Sequence, residues 1–275
     1  MLAYPFEERR LFEPKFGWKF PVIVQPKLDG ERAHPIPNIL PDIELISSEC
    51  NLIQSVPHIN QAFKDQKIDK ELDGELYVHG MDFSEIHSIV SRKSAKTIHP
   101  QAHKMQFHVF DLVSSDNQVK RLTDIPELEP PLFIVPSHVC TSMKDIMLCY
   151  DIFLSGGYEG IIIRHAFAYY ERKRSRFIMK FKPKKTDDYE IRDCIQAISK
   201  DGEDKAMLGA FLCVGVDGTE FKVGAGSLTH DQRYDIWNEH CFNNSIVGKF
   251  CRVQYQNITS KGGVPRFGLA LEVID

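Results

Sequence analysis

Short β-branched and apolar runs, bounded by Gly, Pro and charged residues, mark the first elements of the chain. Val22-Ile23-Val24-Gln25 leads into Pro26-Lys27 and predicts a strand that delivers Lys27 to its end. Glu71 to Val78 predicts a second strand, interrupted by Asp73-Gly74. The partial alternation of Phe107-His108-Val109-Phe110 predicts a half-buried third. Ile161-Ile162-Ile163, after Glu159-Gly160, has the pattern of a buried strand, and Phe177 to Lys182 that of another. Side chains repeat every second residue along a strand, so Lys180 and Lys182 share a face. Helices are expected between these strands. Asp82-Phe83-Ser84-Glu85 has the form of a capping box ahead of Ile86, Ile89 and Val90. Ser142 opens a second helix that carries Ile146 to Leu154 and is closed by Gly156-Gly157, and Gln54 to Lys67 is a third. The alternating Phe16, Trp18 and Phe20 read as packing residues.

After Lys185 the texture changes. Asp187-Asp188-Tyr189 reads as a hinge, and strands are expected at 189–198, 208–216, 220–223, 249–256 and 267–274, with Asp217-Gly218 as a hairpin turn. One helix, from Thr229 to Cys241, falls between the third and fourth. Five strands in that order predict an OB-fold barrel. The expected class is therefore α+β: residues 1–186 form a domain of mixed antiparallel sheets and helices, and residues 187–275 an all-β OB-fold domain. No internal repeat or low-complexity segment interrupts this pattern.

Composition adds limits. With 43% hydrophobic and 26% charged residues, the 275-residue chain has the balance of a water-soluble globular protein. No apolar run is long enough to span a bilayer, and Met1 to Pro5 lacks the regions of a signal peptide, so the expectation is a cytoplasmic or nucleoid protein without membrane contact. The seven cysteines form no C-x-x-C pair, which argues for free thiols rather than a zinc ribbon or disulfide framework. His99 and His103 are at helical spacing but lack a third ligand. The net charge of −4 hides a basic stripe, Arg172, Lys173, Arg174, Arg176, Lys180, Lys182, Lys184 and Lys185, offset nearby only by Glu171. Local charge density can bind phosphates on a mildly acidic protein.

Candidate chemistry centres on Lys27-Leu28-Asp29-Gly30-Glu31-Arg32. Taken alone this K-x-D-G match is an ordinary turn. It is followed in order by Asp73-Gly74-Glu75, Phe110-Asp111, Glu159-Gly160-Ile161-Ile162-Ile163-Arg164 and Lys180-Phe181-Lys182, each on or at the end of an expected strand. A lysine amine is a nucleophile only when deprotonated, and nearby cations favour that state. Lysines, arginines and metal-binding carboxylates are the groups that nucleotidyl transfer requires.

The series resembles the covalent nucleotidyltransferase superfamily of DNA ligases, RNA ligases and capping enzymes, and most of all the small viral and phage ATP-dependent DNA ligases, over nearly the whole chain. The resemblance implies that Lys27 is the nucleophile and that Gln25, Asp29, Arg32, Glu75, Phe110, Lys180 and Lys182 bind the nucleotide. Asp29 and Arg32 would order the sugar and phosphate, Phe110 would stack on adenine, and Lys180 and Lys182 would hold the α-phosphate. Glu159 and Glu75 would hold Mg²⁺ or Mn²⁺. The cofactor implied is ATP rather than NAD⁺, because only 26 residues precede Lys27 and no zinc cysteines follow. The implied partner is nicked duplex DNA, met by a monomer through Lys93, Arg172, Lys173, Arg174, Arg176, Lys184 and Arg266, with Arg92 and Lys96 as further candidates.

Two stretches depart from the family pattern. Ser47-Ser48-Glu49-Cys50-Asn51 stands where ligases place a Ser-Arg pair for the nick phosphate. Pro265-Arg266-Phe267 resembles the start of the last motif, but the chain ends without its second basic group. An RNA ligase or capping-type transferase, and a module that binds nicks or nucleotides without turnover, remain open alternatives at this point.

Overall fold

The computed structural model describes residues 2–37, 43–92, 98–255, 257–258, 263–266 and 268–275. The chain divides into two compact units, Met1–Lys182 and Pro183–Asp275.

The first unit holds two sheets. One has the order β1-β11-β10-β2-β9, from β1 (Leu2–Pro5), β2 (Val22–Lys27), β9 (His138–Cys140), β10 (Gly160–His165) and β11 (Arg174–Phe181). Its apolar face is the alternate set Val22, Val24, Ile161, Ile163 and Met179. These pack with Ile146 and Phe153 of α5 (Met143–Ser155), Leu11 of α1 (Arg9–Phe12) and Trp18. Trp18 is buried and donates from Nε1 to the Arg176 carbonyl at 3.0 Å, as expected of a packing aromatic.

The other sheet runs β5-β4-β3-β6-β7-β8, from β3 (Glu31–Pro37), β4 (Ile43–Ser47), β5 (Leu52–Ile53), β6 (Leu72–Tyr77), β7 (Gln106–Leu112) and β8 (Leu132–Ile134). Leu72, Leu76, Phe107 and Val109 pack against Ile59 and Phe63 of α2 (Pro57–Asp65) and Ile86 and Ile89 of α3 (Phe83–Val90). The Asp73-Gly74 interruption is a register shift against β7 inside a continuous strand.

Cap chemistry differs between the expected capping box at Asp82 and the start of α5 at Ser142. Ser142 Oγ accepts from the Asp145 amide and the Asp145 carboxylate accepts in return from the Ser142 amide, so α5 has both halves. Asp82 caps α3 without its side chain; its carbonyl accepts from the Glu85 and Ile86 amides at 3.0 Å.

The second unit is a closed barrel of order β12-β13-β14-β18-β15, from β12 (Lys185–Ile198), β13 (Asp204–Val214), β14 (Glu220–Gly224), β15 (Phe250–Tyr255) and β18 (Leu269–Ile274). Helix α6 (His230–Asn243) joins β14 to β15, with Thr229 and Gln232 in a capping box, as the OB-fold order predicts. A short ladder, β16 (Asn257–Ile258) with β17 (Pro265–Arg266), lies between β15 and β18.

The boundary expected at 186/187 falls four residues past the division at Lys182/Pro183, and Asp187-Asp188, expected as a hinge, lies within a strand. Both aspartates lie inside β12, opposite Val253 and Arg252. Their polar run is accommodated because Asp187 accepts from the Tyr255 hydroxyl and Asp188 pairs with Arg252 at 3.0 Å.

Candidate functional site

Lys27 is the last residue of β2, and register fixes its neighbours. Gly160 pairs with Lys27, Ile162 with Gln25, and Ile162 in turn with Lys180. Gln25, Lys27, Ile162 and Lys180 therefore share the face opposite the α5 core. The second sheet contributes Arg32, its cross-strand neighbour Glu75, and Phe110 of β7. Together these seven residues line one cavity of about 220 Å³, completed by Leu2, Ala3, Pro26, Leu28, Arg164 and Ile178. Two glycines permit the approach. A Cβ at Gly30 would strike the Leu76 carbonyl and crowd Glu75 Cγ at 2.8 Å, and a Cβ at Gly160, whose φ is 154°, would strike the Phe181 carbonyl.

Glu159 ties the catalytic candidates together. Its amide donates to the Lys27 carbonyl at 3.2 Å, its Oε2 accepts from Lys27 Nζ, and its Oε1 accepts from Lys182 Nζ at 2.8 Å. Burial alone would raise the Glu159 carboxyl, but Lys27 and Lys182 outweigh it and hold the group below the usual carboxylate range. Glu75 behaves oppositely: burial pushes it up to about 7 against the pull of Lys27 and Arg32. Burial, then the Lys182 and Lys27 charges, pushes Lys180 down.

Arg32 is bound on its own sheet. Its Nε donates to Asp73 Oδ1 at 2.9 Å and its Nη2 to Oδ2 at 2.5 Å, and the Tyr170 hydroxyl donates to Oδ2 at 2.8 Å. The Phe110 ring has the Arg32 guanidinium 5.7 Å from its centroid and that of Arg164 at 5.1 Å.

Behind the ring lies a buried ionic cluster that reading the chain in order does not reveal. Asp111 accepts from Arg121 Nε at 2.8 Å and Arg164 Nη1 at 3.0 Å, and Gln118 Nε2 donates to it at 3.1 Å. Arg164 closes the Glu159–Arg164 motif, and a charge ending an apolar strand run was the available signal. Arg121, on α4 (Gln118–Thr123), carried none.

The remaining sequence candidates are dispersed. Asp29 follows Lys27 in the turn but is not among the residues lining the cavity. The basic stripe divides. Arg172 pairs with Glu71 at 2.6 Å, Lys173 lies 3.8 Å from Glu171, and Arg174 donates to the Ala3 carbonyl at 3.2 Å. Arg176 lies over the Phe177 ring, Lys184 is exposed in the second unit, and Lys180 turns into the cavity. Lys93 and Lys96 fall outside the described residues, as does the Arg266 side chain, whose backbone is on β17. Among the described residues no three His, Cys, Asp or Glu side chains cluster as a metal site, His99 and His103 included.

The description "ATP dependent DNA ligase domain" matches residues 1–182, and "DNA ligase OB-like domain" matches residues 201–273. The chain belongs to the ATP-dependent DNA ligase family. It is 29% identical over 213 residues to a DNA ligase of African swine fever virus (strain Badajoz 1971 Vero-adapted), covering 70% of this chain and 48% of that one. It is also 29% identical over 204 residues to a DNA ligase of Haemophilus influenzae, covering 71% of this chain and 69% of the relative. The chain thus spans about half the length of the viral relatives it matches. Among solved structures, one from a study of Lig E DNA ligases aligns with TM-score 0.77 at 22% identity, over 99% of this chain and 98% of that one. A Chlorella virus DNA ligase-adenylate aligns with TM-score 0.53 at 22% identity, over 100% and 97%. These likenesses concern the fold.

The stretch in which this ligase-family chain lacks the expected arginine is a tight turn. The Ser47 amide donates to the Asn51 carbonyl at 2.8 Å, Ser47 Oγ accepts from the Asn51 amide at 3.1 Å, and Cys50 has φ 61°. Ser48 and Asn51 line a second cavity with Arg92, which follows α3, and with His87, which pairs with Glu31 at 2.5 Å.

Proposed function

We propose that the protein seals 5′-phosphate/3′-hydroxyl nicks in duplex DNA with ATP, through an AMP covalently held by Lys27. The supporting observation is the convergence of Lys27, Glu75, Phe110, Arg32 and Lys180 on one cavity from two sheets. Phe110 and Ile162 provide faces for a purine, and Lys180 and Lys182 provide charge for the α-phosphate. The Lys27 Nζ lone pair attacks the α-phosphorus, the bond to the bridging oxygen breaks, and pyrophosphate leaves with its electrons. The ammonium proton must be given up first, and the Glu159 carboxylate that Lys27 Nζ contacts is placed to take it. A nick 5′-phosphate oxygen next takes the AMP from Lys27, forming a pyrophosphate linkage. The 3′-hydroxyl oxygen then attacks the 5′-phosphorus, losing its proton, and AMP departs.

The donor chemistry suits a hard dication. Mg²⁺ is commonly held by one or two carboxylates plus substrate phosphates; Glu75, whose carboxylate takes no hydrogen bond among the described residues, lines the cavity with Lys27, and Glu159 contacts Lys27. Glu159 and Glu75 would hold Mg²⁺ or Mn²⁺, which when bound neutralises charge on phosphate oxygens. Duplex contacts are assigned to exposed basic groups, Lys173, Arg176 and Lys184 first.

The test is a gel assay of nicked duplex DNA with ATP, Mg²⁺ and the protein. Sealing is expected. Sealing of RNA nicks alone, or transfer of GMP in place of AMP, would shift the reading to an RNA ligase or capping transferase. Tight nick binding without any AMP transfer would mark a non-catalytic module.

A further inference from the structure

Cys140 and Cys149 are nine positions apart in sequence, and their Sγ atoms meet at 3.7 Å in the core that α5 forms with the Lys27 sheet. Cys140 ends β9 and pairs with Val22 at the start of β2, so strand register fixes its backbone. Cys149 lies in α5, and the cap fixes the start of that helix. The Asp145 carboxylate accepts from the Thr141 amide and hydroxyl, each at 2.9 Å, and from the Ser142 amide at 3.0 Å. The segment between the thiols is thus already ordered, and a bond between them asks little reorganisation of the folded chain. The two sulfurs differ in access. Cys140 is 1% exposed, and burial, then the contact with Cys149, pushes its thiol up to about 12. Cys149 is only half-buried, so a reagent in solution reaches it first.

We propose that Cys140 and Cys149 are a reversible disulfide site, formed by exchange with a small-molecule disulfide, that staples α5 to β9 beside the strand of Lys27. Cys149 loses its proton to solvent, and its thiolate attacks one sulfur of the small disulfide, whose S–S bond breaks to release one thiolate. Cys140 then attacks the Cys149 sulfur as its own proton departs. The mixed disulfide breaks, and the second small thiolate leaves and takes up a proton. Two protein thiols are oxidised by two electrons, and one small disulfide is reduced to two thiols. The reverse exchange with a reduced dithiol restores both cysteines. The bond closes a loop that the unfolded chain must keep, so it stabilises the first unit. Neither cysteine lines the nucleotide cavity, and the inference is independent of the nucleotide reading.

The test incubates the full chain with oxidised glutathione in a Cys50→Ser, Cys241→Ser background, which removes the two exposed thiols. Intact mass, peptide mapping and a thermal melt are read. The expected product has lost two hydrogens, contains a peptide linking Cys140 to Cys149, and melts about 5 °C above the reduced protein. Dithiothreitol returns it to the starting mass. Cys140→Ala is expected to keep one glutathione on Cys149, the adduct that Cys140 otherwise displaces. Cys149→Ser is expected to change neither mass nor melting on oxidation, and it carries the test should Cys140→Ala fail to fold. Folded protein that keeps both thiols free, or holds glutathione on Cys149 with Cys140 intact, overturns the proposal. So does a link between a different pair, such as Cys213 and Cys251, or a linked product that melts lower than the reduced protein.

Discussion

Lys27 Nζ and Glu159 Oε2 are in direct contact, so the candidate nucleophile is held as half of an ion pair. The second half of that carboxylate is occupied by Lys182 at 2.8 Å, so two cations meet on one carboxylate. Phosphoryl chemistry uses such fixed charges where negative charge develops, and removing one preorganised group typically costs about 10²–10³ in rate. Lys182→Ala is expected to slow AMP transfer by that order while leaving the melting temperature nearly unchanged, read by rapid-quench labelling beside a thermal melt.

Glu75 gives a pH signature. Its folded pKa, about 7, lies above the ordinary 4.5 because burial disfavours the charged form. A raised carboxyl pKa means the folded state holds a proton that the unfolded state has lost between those values, so this group's contribution to stability falls as pH rises from about 4.5 to about 7. Glu75→Gln removes that loss. The variant should match wild type near pH 4.5, become the more stable of the two as pH approaches 7, and hold a constant advantage above it, in melts across that range.

Asp111 holds two buried guanidiniums, Arg121 and Arg164, and is itself fully buried. Breaking a buried ion pair by deleting one partner leaves uncompensated charge and costs about 3–5 kcal/mol. Asp111→Ala is expected to destabilise the first unit by that amount in denaturant titration, with the barrel unit unaffected.

The sequence was most informative where chemistry is local. Asp29-Gly30 after a β-branched run marked the turn at Lys27; period-two spacing expected Lys180 and Lys182 on one strand face, but β11 ends at Phe181 and only Lys180 lines the cavity. It was least informative where a side chain's partner is distant in sequence. Gln25 read as a nucleotide contact, yet its amide is set by Arg164 and Ser137, 139 and 112 positions away. Arg172 read as part of one basic stripe, but Glu71, 101 positions earlier, pairs with it. Asp187-Asp188 read as a hinge at the change of texture after Lys185; Tyr255 and Arg252 on the neighbouring strand make them part of a barrel wall.

Duplex binding through exposed lysines and arginines releases counterions, so affinity should fall steeply with salt; six to ten phosphate contacts correspond to a loss of about 10³–10⁵ between 50 and 200 mM. Titration of a labelled nicked duplex over that range checks it. A flat response would contradict a phosphate-dominated interface.

The measurement that bears most directly on the central claim is intact-protein mass after incubation with ATP and Mg²⁺. Wild type freed of adenylate should gain one AMP, lost on adding pyrophosphate, and Lys27→Ala and Lys27→Arg should gain none. An unchanged wild-type mass in folded protein, or an AMP retained by the Lys27 variants, would contradict it.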